Sequence, residues 1–197
     1  MAASHRRGVR RLRTLVLAMT GVAAAWTMSS ACAAAPEYQL KAVFLFQFSQ
    51  FVEWPAAAFA SGDAPFTVCV LGEDPFRKYL DDAVRGEKVG GRPFTVKRYQ
   101  RIDQIGDCQV LFIARSAMPQ LDPILDAVRG HPILTVADSD TFADRGGVIG
   151  FVTDSNRLRL RINPQAARVA DLNISSKLLS LASLVEAPAD AAAEPLP

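Results

Sequence analysis

Apolar positions past residue 60 fall into short runs separated by segments of helical spacing. The runs "FTVCVLG" (66–72), "FTVKRYQ" (94–100), "CQVLFIA" (108–114) and "PILTVAD" (132–138) predict strands. Pro75 to Val84 and Pro119 to Arg129 predict helices between them. "VIGFVTD" (148–154) and "RLRLRIN" (157–163) are joined by Ser155 and Asn156 alone, which predicts an antiparallel hairpin. Upstream, Leu40, Val43, Phe44, Phe48, Phe51 and Val52 recur at helical spacing. They predict a helix over 37–53, interrupted by Lys41, Gln47 and Gln50 and ended by Pro55. Its apolar stretch is too short to cross a bilayer, and aromatics at this spacing usually belong to a core. Residues 164–185 again carry a helical pattern, with Leu178, Leu181, Ala182 and Val185 on one face. Asn163 is placed to cap its start, and Ser175 or Asn173 to cap a second segment.

Strands alternating with helices point to an α/β fold. The expected architecture is a three-layer sandwich: a Rossmann-like, mostly parallel sheet ending in an antiparallel hairpin, with helices on both faces. "VLFIA" and "PILTV" are apolar throughout, as strands covered on both faces should be. One domain over 37–186 is expected from the length, with a disordered tail over 187–197, which lacks core-forming residues.

Charge changes the picture at the N-terminus. The chain carries a net +2, but Arg6, Arg7, Arg10, Arg11 and Arg13 lie in its first 13 residues. Without them 17 basic residues face 20 acidic ones, and the remainder is mildly acidic. No Lys/Arg stripe is left for a nucleic acid, so none is expected as a partner. "HRRGVRRLR" followed by "TLVLAMTGVAAAW" and then Ala31-Cys32-Ala33 reads as an export signal over 1–33 with an A-x-A cleavage pattern. The mature protein is then periplasmic and keeps two cysteines, Cys69 and Cys108. In an oxidising compartment these suggest one disulfide; two separate buried thiols are the alternative.

Catalytic chemistry finds few side chains to use. The loop after the first strand, Gly72-Glu73-Asp74-Pro75, ends with Asp74 as a helix cap and Pro75 as first helical residue. It carries carboxylates where a phosphate loop keeps bare backbone N–H groups, and no G-x-G-x-x-G or P-loop occurs. His131 stands alone in a turn, without a nucleophile elbow and without cysteines to complete a zinc set. Asp138, Asp140 and Asp144 imitate a Ca²⁺ loop but lack its turn glycine and terminal Glu. No catalytic residue, metal or cofactor is expected. Gly146 and Gly147 supply positive φ or close backbone approach before a strand.

Five segments in this order, "YQLKAVFLFQFSQFVEWP", "FTVCVLGEDPF", "CQVLFIARS", "ILTVADSDTFADRGGVIGF" and "LRLRINPQAARVADLNISSKLLSLASLV", carry a family resemblance from Tyr38 to Val185. The chain resembles the YfiR family of periplasmic repressors. That resemblance implies a protein that binds the periplasmic sensor region of an inner-membrane diguanylate cyclase and holds it inactive, lowering cyclic-di-GMP output and biofilm formation. It also implies sequestration by an OmpA-like outer-membrane lipoprotein and a response to redox state through disulfides. Cys69 and Cys108 fall on the family's strand cysteines, whereas the further pair that some relatives carry near "GGVIGF" is missing here. Some relatives are fused to or paired with sensor kinases.

A repressor needs a docking surface with differential affinity for the inactive partner. Arg157, Arg159 and Arg161 repeat on one strand face and must point outward. The expected partner surface is therefore the terminal hairpin and the segment after it, around Ile149, Phe151, Arg161, Ala167 and Leu172. The aromatic helix over 37–53 is the rival surface, and a homodimer through either is in view. The alternative function is a small-molecule receptor using strand-end loops at Glu73, Asp74, Ser116 and Asp138.

Overall fold

A computed structural model of the chain describes residues 31–155 and 157–185, with side chains from Glu37 onward. The chain divides into two compact units, Met1–Glu37 and Tyr38–Pro197, and the account below concerns the second. The expected export signal up to residue 30 and the tail over 187–197 lie outside the described residues.

Among the described residues five α-helices and ten strands follow in chain order: α1 (Ala31–Phe51), β1 (Val52–Glu53), β2 (Phe66–Leu71), α2 (Lys78–Val84), β3 (Lys88–Val89), β4 (Arg92–Tyr99), β5 (Val110–Ile113), α3 (Leu121–Val128), β6 (Leu134–Ala137), β7 (Ile149–Asp154), β8 (Arg157–Ile162), α4 (Pro164–Val169), β9 (Asn173–Ile174), α5 (Ser176–Leu179) and β10 (Ser183–Leu184). Eight strands form one sheet in the order β10-β8-β7-β6-β5-β2-β4-β3. The run from β7 to β4 is parallel; β8 turns back on β7 in register Ile149↔Ile162 to Asp154↔Arg157, as the two-residue link predicts. Every residue of β2, β5 and β6 is buried, because both faces of these central strands are covered.

The period of two along the strands sorts side chains into two cores. Val68, Val70, Val110, Phe112, Leu134, Val136, Ile149, Phe151, Leu160 and Ile162 point to the side of α1, α2, α4 and α5. Cys69, Leu71, Leu111, Ile113 and Ala137 point to the other, under α3 and Phe142. The aromatics of α1 serve the first core: Phe48 stacks on Phe151 at 6.1 Å, and Phe46 lies 5.4 Å from Phe94. No described helix is long and apolar enough to cross a membrane. Cys69 and Cys108 are bonded across β2 and the entry to β5, with Cα atoms 6.0 Å apart.

Two expectations need correction. The helix after β2 begins at Lys78, not Pro75, because Asp74 turns its carboxylate to the Phe76 N–H (2.7 Å) and to Arg98, and Arg77 at φ 53° blocks a helical approach. The pattern over 164–185 is not a continuous pair of helices. Asn163 caps α4 as expected, accepting from the Ala166 N–H at 2.9 Å, but Asp171 at φ 54° ends it. The chain then pairs β9 with β1 (Val52↔Ile174), is capped again by Ser175, and closes as β10 beside β8. The segment "GEKVGGRP" contains β3, paired antiparallel with the start of β4. Before β7, Gly146 takes φ +98°, and a Cβ on Gly147 would overlap the Phe142 ring, so the two glycines meet the two needs foreseen for them.

Candidate functional site

In open α/β sheets ligands sit where strand order reverses, beyond the carboxyl ends. Here that point lies between β2 and β5, since the chain leaves β2 for β4 on one side and returns to β5 on the other. The crevice is closed. Gly72 at φ +93° packs so tightly on the turn after β5 that an added Cβ would sit 2.6 Å from Ser116 Oγ and 3.2 Å from Ala117 Cβ. Ser116 Oγ accepts from the Glu73 N–H at 2.8 Å. Asp74 is held at 2.6 Å by Arg98, whose guanidinium also takes Asp81 and the Arg77 carbonyl. The hydrogen bond that Arg98 donates to Asp81, partly offset by burial and aided by Asp74, raises the Arg98 pKa further. The structure thus brings Glu73, Asp74 and Ser116 together, but as a sealed turn.

Asp138 belongs to a separate constellation. It follows β6 directly, with a side chain 8 % exposed, and meets the Lys41 ammonium of α1 at 2.7 Å. The Tyr38 hydroxyl donates to its other oxygen at 2.8 Å, and the exposed Arg115 reaches the same oxygen at 3.3 Å. Lys41 is fully buried, with its ammonium 4.8 Å from the Tyr38 ring centre and 5.8 Å from that of Phe151. This carboxylate is saturated by cations and a hydroxyl, so it serves to pin α1 to the sheet end. Beside it a cleft of about 430 Å³ is lined by Arg115, Met118, Ser139, Asp140 and Thr153. Lys41 went unnoticed in the sequence as a mere interruption. The signal was there: Lys41, Leu45, Phe48 and Val52 form one i, i+4, i+7, i+11 stripe, and all four are buried.

The expected partner residues fare differently. Ile149, Phe151, Ala167 and Leu172 are buried in the core and cannot contact a partner. The reason is sheet order: β7 is an interior strand, and α1 covers the face that carries Ile149 and Phe151. Arg161 alone reaches solvent; it pairs with Asp144 at 2.7 Å, while its Nε is buried without an acceptor. Outward apolar surface lies instead on the rival helix and the sheet edge. Leu40 and Val43 of α1 are exposed, as are Leu184 of β10 and Leu181, the last at 73 %. Phe44, Phe51, Leu158, Leu178 and Leu181 line an apolar groove of about 230 Å³ between α1 and β8.

Among the described residues no group of three or more His, Cys, Asp or Glu side chains is placed to hold a metal ion. Asp144 answers Arg161, and His131 faces solvent in its turn. Fold and site together define a small three-layer α/β module in which Asp74 and Asp138 at the strand ends are committed to internal ion pairs and an apolar groove opens at one sheet edge.

The chain belongs to the YfiR/HmsC-like family, which it matches over residues 38–183. The family is one of periplasmic regulators of diguanylate cyclases. No curated protein matches the chain. Among solved structures, a crystal structure of the ABC domain in complex with L-Trp from Streptococcus pneumonia is similar, with a TM-score of 0.50 at 9 % identity. The match covers 75 % of this chain and 60 % of that one, and it shows a shared α/β fold alone.

Proposed function

We propose that this protein represses an inner-membrane diguanylate cyclase by binding its periplasmic sensor region, and so restrains cyclic-di-GMP output and biofilm formation. The export signal over 1–33 delivers it to that compartment. The observation that carries the reading is the family match joined to the placement of accessible surface. Apolar side chains face outward along α1 and the β8/β10 edge, while the strand-end crevice is filled by Ser116. Docking there favours the inactive sensor and shifts its population. An OmpA-like outer-membrane lipoprotein that covers the same surface would relieve repression, and a homodimer would compete for it. Membranes bearing the cyclase supply the test. Mature protein used as bait is expected to retain the cyclase and to lower its cyclic-di-GMP synthesis. Capture of a transport permease with no change in synthesis would refute the proposal.

A further inference from the structure

The sheet has an unfinished edge. β10 pairs with β8 only at Arg161 and Ile162, so among the described residues the stretch 157–160 has β7 as its one strand neighbour. The direction of the backbone groups follows from two bonds. The Asn163 N–H donates to the Val148 carbonyl, and the Val185 N–H donates to the Ile162 carbonyl. Even-numbered residues of β8 therefore turn their amides away from β7, and those of Leu158 and Leu160 face the open side.

The two faces flanking this edge differ. Leu158 and Leu160 line the apolar groove beside α1. Arg159 and Arg161 line a second cleft with Val152, Ser180 and Ser183, and Arg159, Leu160 and Leu181 border both. Asp140 and Asp154 share that cleft, but neither is within ion-pair distance of Arg157 or Arg159. Arg159 has no ion-pair or hydrogen-bond partner among the described residues, and Arg161 Nε is buried without an acceptor. An added strand would send alternate side chains into these two environments.

We infer that β8 receives an extended segment of a partner protein in which apolar residues alternate with Asp or Glu. Its backbone bonds the amides of Leu158 and Leu160, its apolar side chains enter the α1 groove, and its carboxylates meet Arg159. A second copy fits poorly: matching faces in a β8–β8 pair sets Arg159 opposite Arg159, or Arg157 opposite Arg161. The inference rests on the docking reading above and names the chemistry of the docked segment.

The test uses the full mature chain and a short synthetic peptide alternating Glu with Leu. Controls are its block-ordered isomer and a version with Lys for Glu. Calorimetry is expected to show binding of the alternating Glu peptide alone, weakened by salt. Amide exchange at Leu158 and Leu160 should slow in its presence. Arg159→Glu should weaken binding at least about tenfold and favour the Lys peptide instead. Equal binding of the block isomer, protection elsewhere, a change of sedimentation on Arg159→Glu in the chain alone, or binding seen only after removal of 186–197 would each overturn the inference. A parallel repression assay separates the two readings. Repression kept by Arg159→Glu removes the edge as the docking site while leaving the regulator intact; no repression by the unaltered protein removes the regulator.

Discussion

Replacing Lys41 by methionine keeps the length of the side chain and deletes the cation that faces Asp138 at 2.7 Å. Breaking a buried ion pair from one side costs about 3–5 kcal/mol, because the remaining charge stays desolvated. The lower end applies here. The Tyr38 hydroxyl and the exposed Arg115 still touch the carboxylate, and the Arg115 side chain, 75 % exposed, is well screened. A loss of about 3 kcal/mol at a denaturant slope of about 2 kcal/mol per M moves the urea midpoint down by about 1.5 M. Asp138→Asn alone and the double variant complete a cycle whose coupling energy should reach about 2 kcal/mol. Tryptophan fluorescence follows the transition, since Trp54 bonds the Gln109 carbonyl at 3.1 Å and packs on Phe66 at 4.9 Å. A loss below about 1 kcal/mol, or coupling below about 0.5 kcal/mol, would refute the claim that this pair pins the helix.

Four further outcomes follow from the geometry. Replacing Cys69 and Cys108 by alanine opens a loop of sequence separation 39 and should cost about 4 kcal/mol on the chain-entropy account, read by urea unfolding; a loss under about 1 kcal/mol would contradict it. Gly147→Ala drives a methyl into the Phe142 ring and should lower stability by about 1–3 kcal/mol in the same assay, where a neutral result would show that the ring moves freely. Leu181→Asp, at an exposed position, should leave the midpoint within about 0.5 kcal/mol of the parent yet weaken retention of the cyclase on mature bait; unchanged retention argues against the α1 groove. The Asp103 carboxyl is held below 3.8 by its hydrogen bond from Arg101. Its contribution is present above that unfolded value and is lost as pH falls through the lower folded one, so Asp103→Asn should slightly flatten the acid limb, and an NMR midpoint above 3.8 would contradict this.

The layers of the fold were legible because its strands obey local rules. β5 is apolar at every position and β2 and β6 at every position but Thr67 and Thr135, and the link between β7 and β8 is too short for anything but a hairpin. The breaks over 164–185 were hidden, since Leu178 and its neighbours satisfy helical spacing while β9 gains its pairing from Val52, far away in the chain. The site was less legible for the same reason. Ile149 and Phe151 carry the right chemistry for an interface, but only the order of strands reveals that β7 is interior. Asp138 and Tyr38 are separated by 100 residues, and no local pattern links a lysine in an aromatic helix to a carboxylate at the end of the fourth strand of the main parallel run. Ser116 looked like a ligand donor; its use as a plug depends on the conformation of Gly72.

The contact between α1 and Asp138 also orders events during synthesis. Lys41 lies far ahead of Asp138 in the chain, and seating this helix before β6 is in place would bury its ammonium without that carboxylate. Helix α1 is therefore a late arrival in assembly, and its aromatic face stays available to chaperones until β6 and Asp138 have been made. Fragments that stop short of Asp138 should be proteolysed, however complete their first strands are.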